Sequence, residues 1–115
     1  MIGESDNRPW GRWMIIDEGD GYKVKRIEVK PKSRLSYQTH EHRAEHWVIV
    51  AGTASSTIDG ASIVSHVGDT VDIAIGQPHR IANDTDEPMI FIEIQRGSYL
   101  GEDDITRLED DFGRG

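Results

Sequence analysis

Apolar residues along this chain come in short runs, most of them closed by glycine, proline or Asn/Asp-rich turns. That rhythm predicts strands rather than helices. The predicted strands are roughly 22–30, 34–40, 45–51, 54–58, 62–66, 70–75, 79–83 and 88–96. The breaks are Pro31-Lys32-Ser33, Gly52, Asp59-Gly60, Gly68-Asp69, Gly76-Gln77-Pro78 and Asn83-Asp84-Thr85-Asp86. Asp59-Gly60 is a two-residue hairpin signal between Ser56-Thr57-Ile58 and Ala61-Ser62-Ile63. Closely spaced strands with no long helical pattern between them predict an all-β sandwich or small barrel. Helical spacing occurs only in the acidic tail, at Ile105, Leu108 and Phe112.

Two strands carry more detail. In 34–40, Leu35, Tyr37 and Thr39 alternate with Ser36, Gln38 and His40, so a polar face converges on a histidine. In 88–96, Ile90, Ile92 and Ile94 form one face, expected to be the buried one. Met89, Phe91, Glu93 and Gln95 form the other. Glu93 and Gln95 then read as a wet side, or as substrate-contacting groups if that face lines a cavity.

The chain's 115 residues predict a single domain. Its strand core spans about 22–96, flanked by an N-terminal arm (1–21) and a non-strand tail (97–115). No run approaches the ~18 apolar residues of a membrane span, and no signal-peptide pattern opens the chain. The absence of cysteine excludes disulfides and thiolate metal sites and agrees with a cytoplasmic location. A net charge of −8 argues against nucleic acid as a partner. The acidity is concentrated at the two ends. Residues 22–43 instead hold Lys23, Lys25, Arg26, Lys30, Lys32, Arg34 and Arg43 against Glu28 and Glu41. That stretch reads either as a strand edge guarded by lysines or as a patch for an anionic small molecule.

His40, His42 and His46 fall within seven residues, interleaved with Glu41 and Glu45, and His79 follows a Gly-x-Pro turn. Mixed imidazole and carboxylate groups suit a borderline divalent metal. His66 stands apart in a polar hairpin. A pH-sensitive surface cluster is the competing reading.

From position 32 the chain runs Lys32-x5-Gln38-x-His40-x4-Glu45-x6-Gly52, and from Gly68 it runs x5-Ala74-x-Gly76-x2-His79-x3-Asn83. This resembles the paired motifs of the cupins. The resemblance implies a double-stranded β-helix (jelly-roll) barrel whose metal is held by four side chains, here Gln38, His40, Glu45 and His79. Lys32 replaces the family's first glycine, Ala74 its proline, and Gln38 its first histidine. His42 and His46 are the alternate ligands. Gln38, His40 and His42 share a face if the strand stays regular, whereas Glu45 and His46 point oppositely, so only one of that pair readily reaches the metal. The six-residue gap to Gly52 favours Glu45.

Longer blocks resemble the type II mannose-6-phosphate isomerases. They are Arg8-Pro9-Trp10-Gly11, Tyr22-Lys23-Val24-Lys25, Leu35 through Trp47, Pro78-His79-Arg80, Glu93 through Ile105, and the closing Arg107, Asp110 and Gly113-Arg114. In that family the unit is often the C-terminal domain of an enzyme that also makes GDP-mannose. The resemblance implies conversion of mannose 6-phosphate to fructose 6-phosphate through an enediolate, in a homodimer. It also implies a divalent metal: zinc is favoured, with manganese, iron, cobalt or nickel as alternatives. His42 and Glu93 are the candidate proton carriers. Lys23, Lys25, Arg43, Arg80 and Gln95 are the candidate substrate contacts. Arg80 could equally pair with the acidic tail, at Glu102 or Asp103. The competing function is a non-catalytic, metal-bearing cupin that binds a sugar or sugar phosphate.

Overall fold

The computed structural model describes residues 1–111, so Phe112, Gly113 and Arg114 lie outside it. Its strands are β1 (Ser5–Arg8), β2 (Gly11–Gly19), β3 (Tyr22–Val29), β4 (Ser33–Arg34), β5 (Tyr37–Thr39) and β6 (Arg43–Ala51). They continue with β7 (Ala54–Ile58), β8 (Ala61–Ser65), β9 (Thr70–Ile73), β10 (His79–Asn83), β11 (Met89–Gly97) and β12 (Thr106–Glu109). Two sheets face each other, ordered β1-β2-β3-β11-β6-β9 and β12-β5-β10-β7-β8, with β4 also on β10. The fold is all-β, a double-stranded β-helix. Among the described residues no helix is long and apolar enough to cross a membrane.

The β7–β8 hairpin turns at Asp59-Gly60, where φ is +49° and +79°. Two successive positive φ values match the right-handed twist of the strands, as the Asp-Gly signal requires.

Four expectations need correction. The N-terminal arm contains β1 and β2, which pair across Arg8↔Gly11 and extend the first sheet. The tail is not strand-free or helical, because Thr106–Glu109 pairs with β5 as β12. The predicted strand 34–40 is broken: the Leu35 carbonyl is taken by Arg80 Nε and the His40 carbonyl by the Gly76 N–H. Finally, β3 is no sheet edge, since it lies between β2 and β11.

The inner face of β11 is also the reverse of the expected one. Met89, Phe91, Glu93 and Gln95 are all buried, while Ile90, Ile92 and Ile94 are half-buried on the outer face. Inside the barrel, Trp13, Ile27, Val29, Trp47, Ile49, Ile81, Met89 and Phe91 belong to one apolar core. Along the same strands the interior then becomes polar, at Lys25, Arg43, Glu45, Glu93 and Gln95. The core is therefore the floor on which a charged site is built.

Candidate metal centre and substrate cavity

Strand parity decides which sequence candidates meet. On β6, Arg43, Glu45, Trp47 and Ile49 are buried and point inward. His46 points outward, its Nδ1 2.6 Å from the exposed Asp72 carboxylate. His42 is exposed in a bend, its ring edge-on to Tyr99 at 6.1 Å. It is not drawn inward because the Asp104 carboxylate accepts the N–H groups of both Glu41 and His42, each at 2.9 Å. Gly97 lets this bend pack close: a Cβ there would stand 1.9 Å from the His42 carbonyl oxygen.

His40, Glu45 and His79 do converge. Their donor atoms lie within 4.8 Å of one another, all three residues are buried, and the group could hold a metal ion. His40 Nε2 is 3.2 Å and His79 Nε2 3.7 Å from the Glu45 carboxylate. Each ring is oriented from behind by a backbone carbonyl. His40 Nδ1–H donates to Asp104 O at 2.6 Å and His79 Nδ1–H to Gln77 O at 2.9 Å. A carbonyl only accepts, so both protons sit on Nδ1 and both Nε2 lone pairs face Glu45, as metal-binding imidazoles require. His79 Nε2 is buried with no hydrogen-bond partner. This orphaned lone pair fits a divalent cation in the cluster. Gln38 lines the cavity beside His40, and its backbone is in register with His79.

Charge is arranged to keep Glu45 ionised. Burial opposes this, but the Arg43 guanidinium beside the carboxylate outweighs it, holding the carboxyl well below its usual range. Arg43 Nε donates to Glu45 Oε2 at 2.9 Å, and Trp47 Nε1 donates to Oε1 at 2.9 Å. Burial, foremost, lowers the His79 pKa, which favours the neutral ring. Glu93 goes the other way: burial and then the nearby Glu45 charge push it up to about 8. Gln95 Nε2 donates to Glu93 Oε1 at 2.6 Å, while Gln95 Oε1 finds no donor.

A cavity opens beside this cluster. Its apolar walls include Trp10, Trp13, Ile27, Leu35 and Ile105, and its polar lining includes Arg8, Lys25, Gln38, His40, Arg43, Glu93, Glu102 and Arg107. Lys25 lies 4.2 Å from the Trp13 ring centroid and is paired with Glu102. Lys23 donates to Leu100 O at 3.0 Å and does not line the cavity. Arg80 also lies outside it, with Nη1 3.0 Å from Glu109 Oε1, so its tail partner is neither Glu102 nor Asp103. The basic run 22–43 is thus no single patch, because alternation sends Lys25 and Arg43 inward and Arg26 outward against Glu28. Trp47, Asp104, Glu102 and Arg107 were not singled out as site residues. Pairing with β5 brings Arg107 here, whereas Asp104 is placed by its bonds to His40, Glu41 and His42 and Glu102 by its pairing with Lys25.

An all-β barrel with a buried His/Glu/His group beside a mixed-charge cavity defines a cupin. Solved structures agree on the fold. A double-stranded β-helix protein from Klebsiella pneumoniae superposes with a TM-score of 0.73 at 21% identity, covering 84% of this chain and 78% of that one. An oxalate decarboxylase from Bacillus subtilis gives a TM-score of 0.77 at 19% identity, over 91% of this chain and 30% of its own. Residues 3–110 match the family model described as mannose-6-phosphate isomerase C-terminal, and the chain belongs to that family. The alginate biosynthesis protein AlgA of Pseudomonas aeruginosa is 50% identical over 107 residues, 93% of this chain. A mannose-1-phosphate guanylyltransferase of Escherichia coli is likewise 50% identical over 93% of this chain. This chain spans 22% of the length of each of those two relatives.

Proposed function

We propose that this chain is a metal-dependent isomerase of mannose 6-phosphate and fructose 6-phosphate. The observation that carries the reading is the buried His40–Glu45–His79 group, with its orphaned Nε2, beside a cavity rich in cations. Gln38, His40, Glu45 and His79 would hold the ion, and an N/O donor set with one carboxylate favours zinc. A bound divalent ion would polarise the sugar carbonyl.

The chain's own groups supply the rest. Moving a proton between C1 and C2 needs a carrier within reach of both carbons. Glu93 is the better placed of the two candidates: it lines the cavity, whereas His42 is exposed and stacked on Tyr99. Gln95 orients the Glu93 carboxyl through its 2.6 Å hydrogen bond. Trp10 and Trp13 wall the cavity and restrict the water that would otherwise exchange the migrating proton.

Bound metal is measured in untagged protein, and fructose 6-phosphate formation from mannose 6-phosphate is followed. Metal-dependent turnover that Glu45→Gln abolishes is the expected result. Metal without turnover would replace this reading with the non-catalytic sugar-binding one.

A further inference from the structure

Four cations line the cavity, and three of them are engaged: Lys25 by Glu102, Arg43 by Glu45, and Arg8 by Asp6 at 3.2 Å. Arg107 differs. Its Nε is buried without a hydrogen-bond partner, and no ion pair holds it among the described residues. A guanidinium with an unmet donor beside an open cavity is a receptor for an acceptor-rich anion.

Register fixes where that receptor sits. Arg107 on β12 is paired with Gln38 on β5, and Gln38 with His79 on β10. Residues in one row across adjacent strands project to the same face, so Arg107, Gln38 and His79 share the inner face. At the usual strand spacing, Arg107 stands roughly 10 Å from His79. An open-chain six-carbon sugar with its carbonyl at the His40–Glu45–His79 donors spans that row, leaving its far end at Arg107.

We infer that Arg107 is the phosphate anchor of the site, with its guanidinium forking onto the phosphate oxygens and Arg8 as the second cation. This rests on the sugar-phosphate reading above and deepens it. It also moves the anion site from the basic run 22–43 to the acidic tail.

The test is titration calorimetry on the full chain, with inorganic phosphate (without added zinc) and mannose 6-phosphate (with zinc) as probes, on wild type, Arg107→Gln, Arg107→Lys and Arg8→Gln. Arg107→Gln should weaken both probes by about tenfold or more, as loss of a desolvated charge pair does. Arg107→Lys, which keeps the charge but not the fork, should fall between. Thermal midpoints and zinc content identify any variant that misfolds, and Arg107→Lys and Arg8→Gln then carry the comparison. Equal binding by wild type and the folded Arg107 variants overturns the inference, as does a wild type that binds neither probe. Arg107-dependent phosphate binding without turnover keeps the anchor and removes the isomerase reading. Turnover whose KM is unchanged in folded Arg107→Gln does the reverse.

Discussion

The ring of His40 is held by the backbone of Asp104, whose carbonyl accepts Nδ1–H at 2.6 Å across 64 positions of sequence. The same residue's carboxylate binds the N–H groups of Glu41 and His42. A tail residue therefore orients one imidazole and turns the next histidine out of the cavity.

Asp104→Asn should loosen that bend, because an amide accepts one of the two N–H groups and opposes the other with its own donors. The backbone carbonyl that orients His40 stays, but the loosened bend shifts it, so zinc binding should weaken by up to about tenfold, the low end of what partners that orient a ligand from behind contribute. Unfolding stability should fall by about 0.5–1.5 kcal/mol, the net worth of one hydrogen bond whose donor can still reach water. Chelator competition and urea unfolding measure the two effects. Unchanged zinc affinity would show that the Asp104 carboxylate's hold on the bend does not govern the placement of His40.

The Lys25–Glu102 pair should make the closure of the tail pH-dependent. Burial raises the Glu102 pKa, but the Lys25 ammonium outweighs it and holds the carboxyl below its usual range. A carboxyl depressed in the folded state stabilises fully above the unfolded value of roughly 4.3, and the gain is lost as pH falls through the lower folded value. Wild type should thus exceed Glu102→Gln in urea midpoint by a constant margin from neutral pH down to about pH 5. The two midpoints should converge below roughly pH 4. A margin that widens on acidification would contradict the pairing.

Lys32 stands where the cupin pattern has glycine, and its φ is +56°. A side chain there costs about 1–2 kcal/mol of strain, against roughly 0.5–1 kcal/mol for the extra chain entropy of glycine. Its backbone N–H still bonds Thr85 O at 3.2 Å, which any residue at 32 would keep. The Nζ bond to Asp84 O is exposed and worth little. Lys32→Gly should therefore raise stability by about 0.5 kcal/mol, read as a small upward shift in urea midpoint. A loss would mean that the Lys32 side chain contributes more than its exposure suggests.

Turns and cluster spacing were legible because they depend on single residues: Asp59-Gly60 needs two positive φ values, and the histidine motifs need particular intervals. Which face of a strand is buried was not, and one physical cause accounts for it. The outer face of the first sheet is itself apolar, carrying Met14, Val24, Val48, Ile90, Ile92 and Ile94 as half-buried residues. Its inner face carries Lys25, Arg43, Glu45, Glu93 and Gln95. Hydropathy alternation then assigns β11 to the wrong side and blurs β2, where Trp13-Met14-Ile15-Ile16 shows no polar beat. The tail misled differently: the three-residue spacing of Ile105 and Leu108 mimics a helix, yet β12 places Leu108 outward while Ile105 lines the cavity.

Zinc should stabilise the fold, and His79 should be indispensable to that gain. A ligand bound only by the folded state at a hundredfold excess over its Kd adds about 2.7 kcal/mol, provided the unfolded chain binds it negligibly. In a domain of this size that raises Tm by roughly 10 °C. His79→Leu removes the orphaned Nε2 while filling much of the ring's volume. It also gives up the Nδ1 bond to Gln77 O, so relief and loss offset and the metal-free Tm should change by only a few degrees, about 1 kcal/mol or less. With zinc, wild type should climb and His79→Leu should not. A variant that still gains the full increment would place the ion elsewhere and remove His79 from the ligand set. A metal-free variant that collapses would make His79 structural, its Nδ1 bond outweighing the orphan at Nε2.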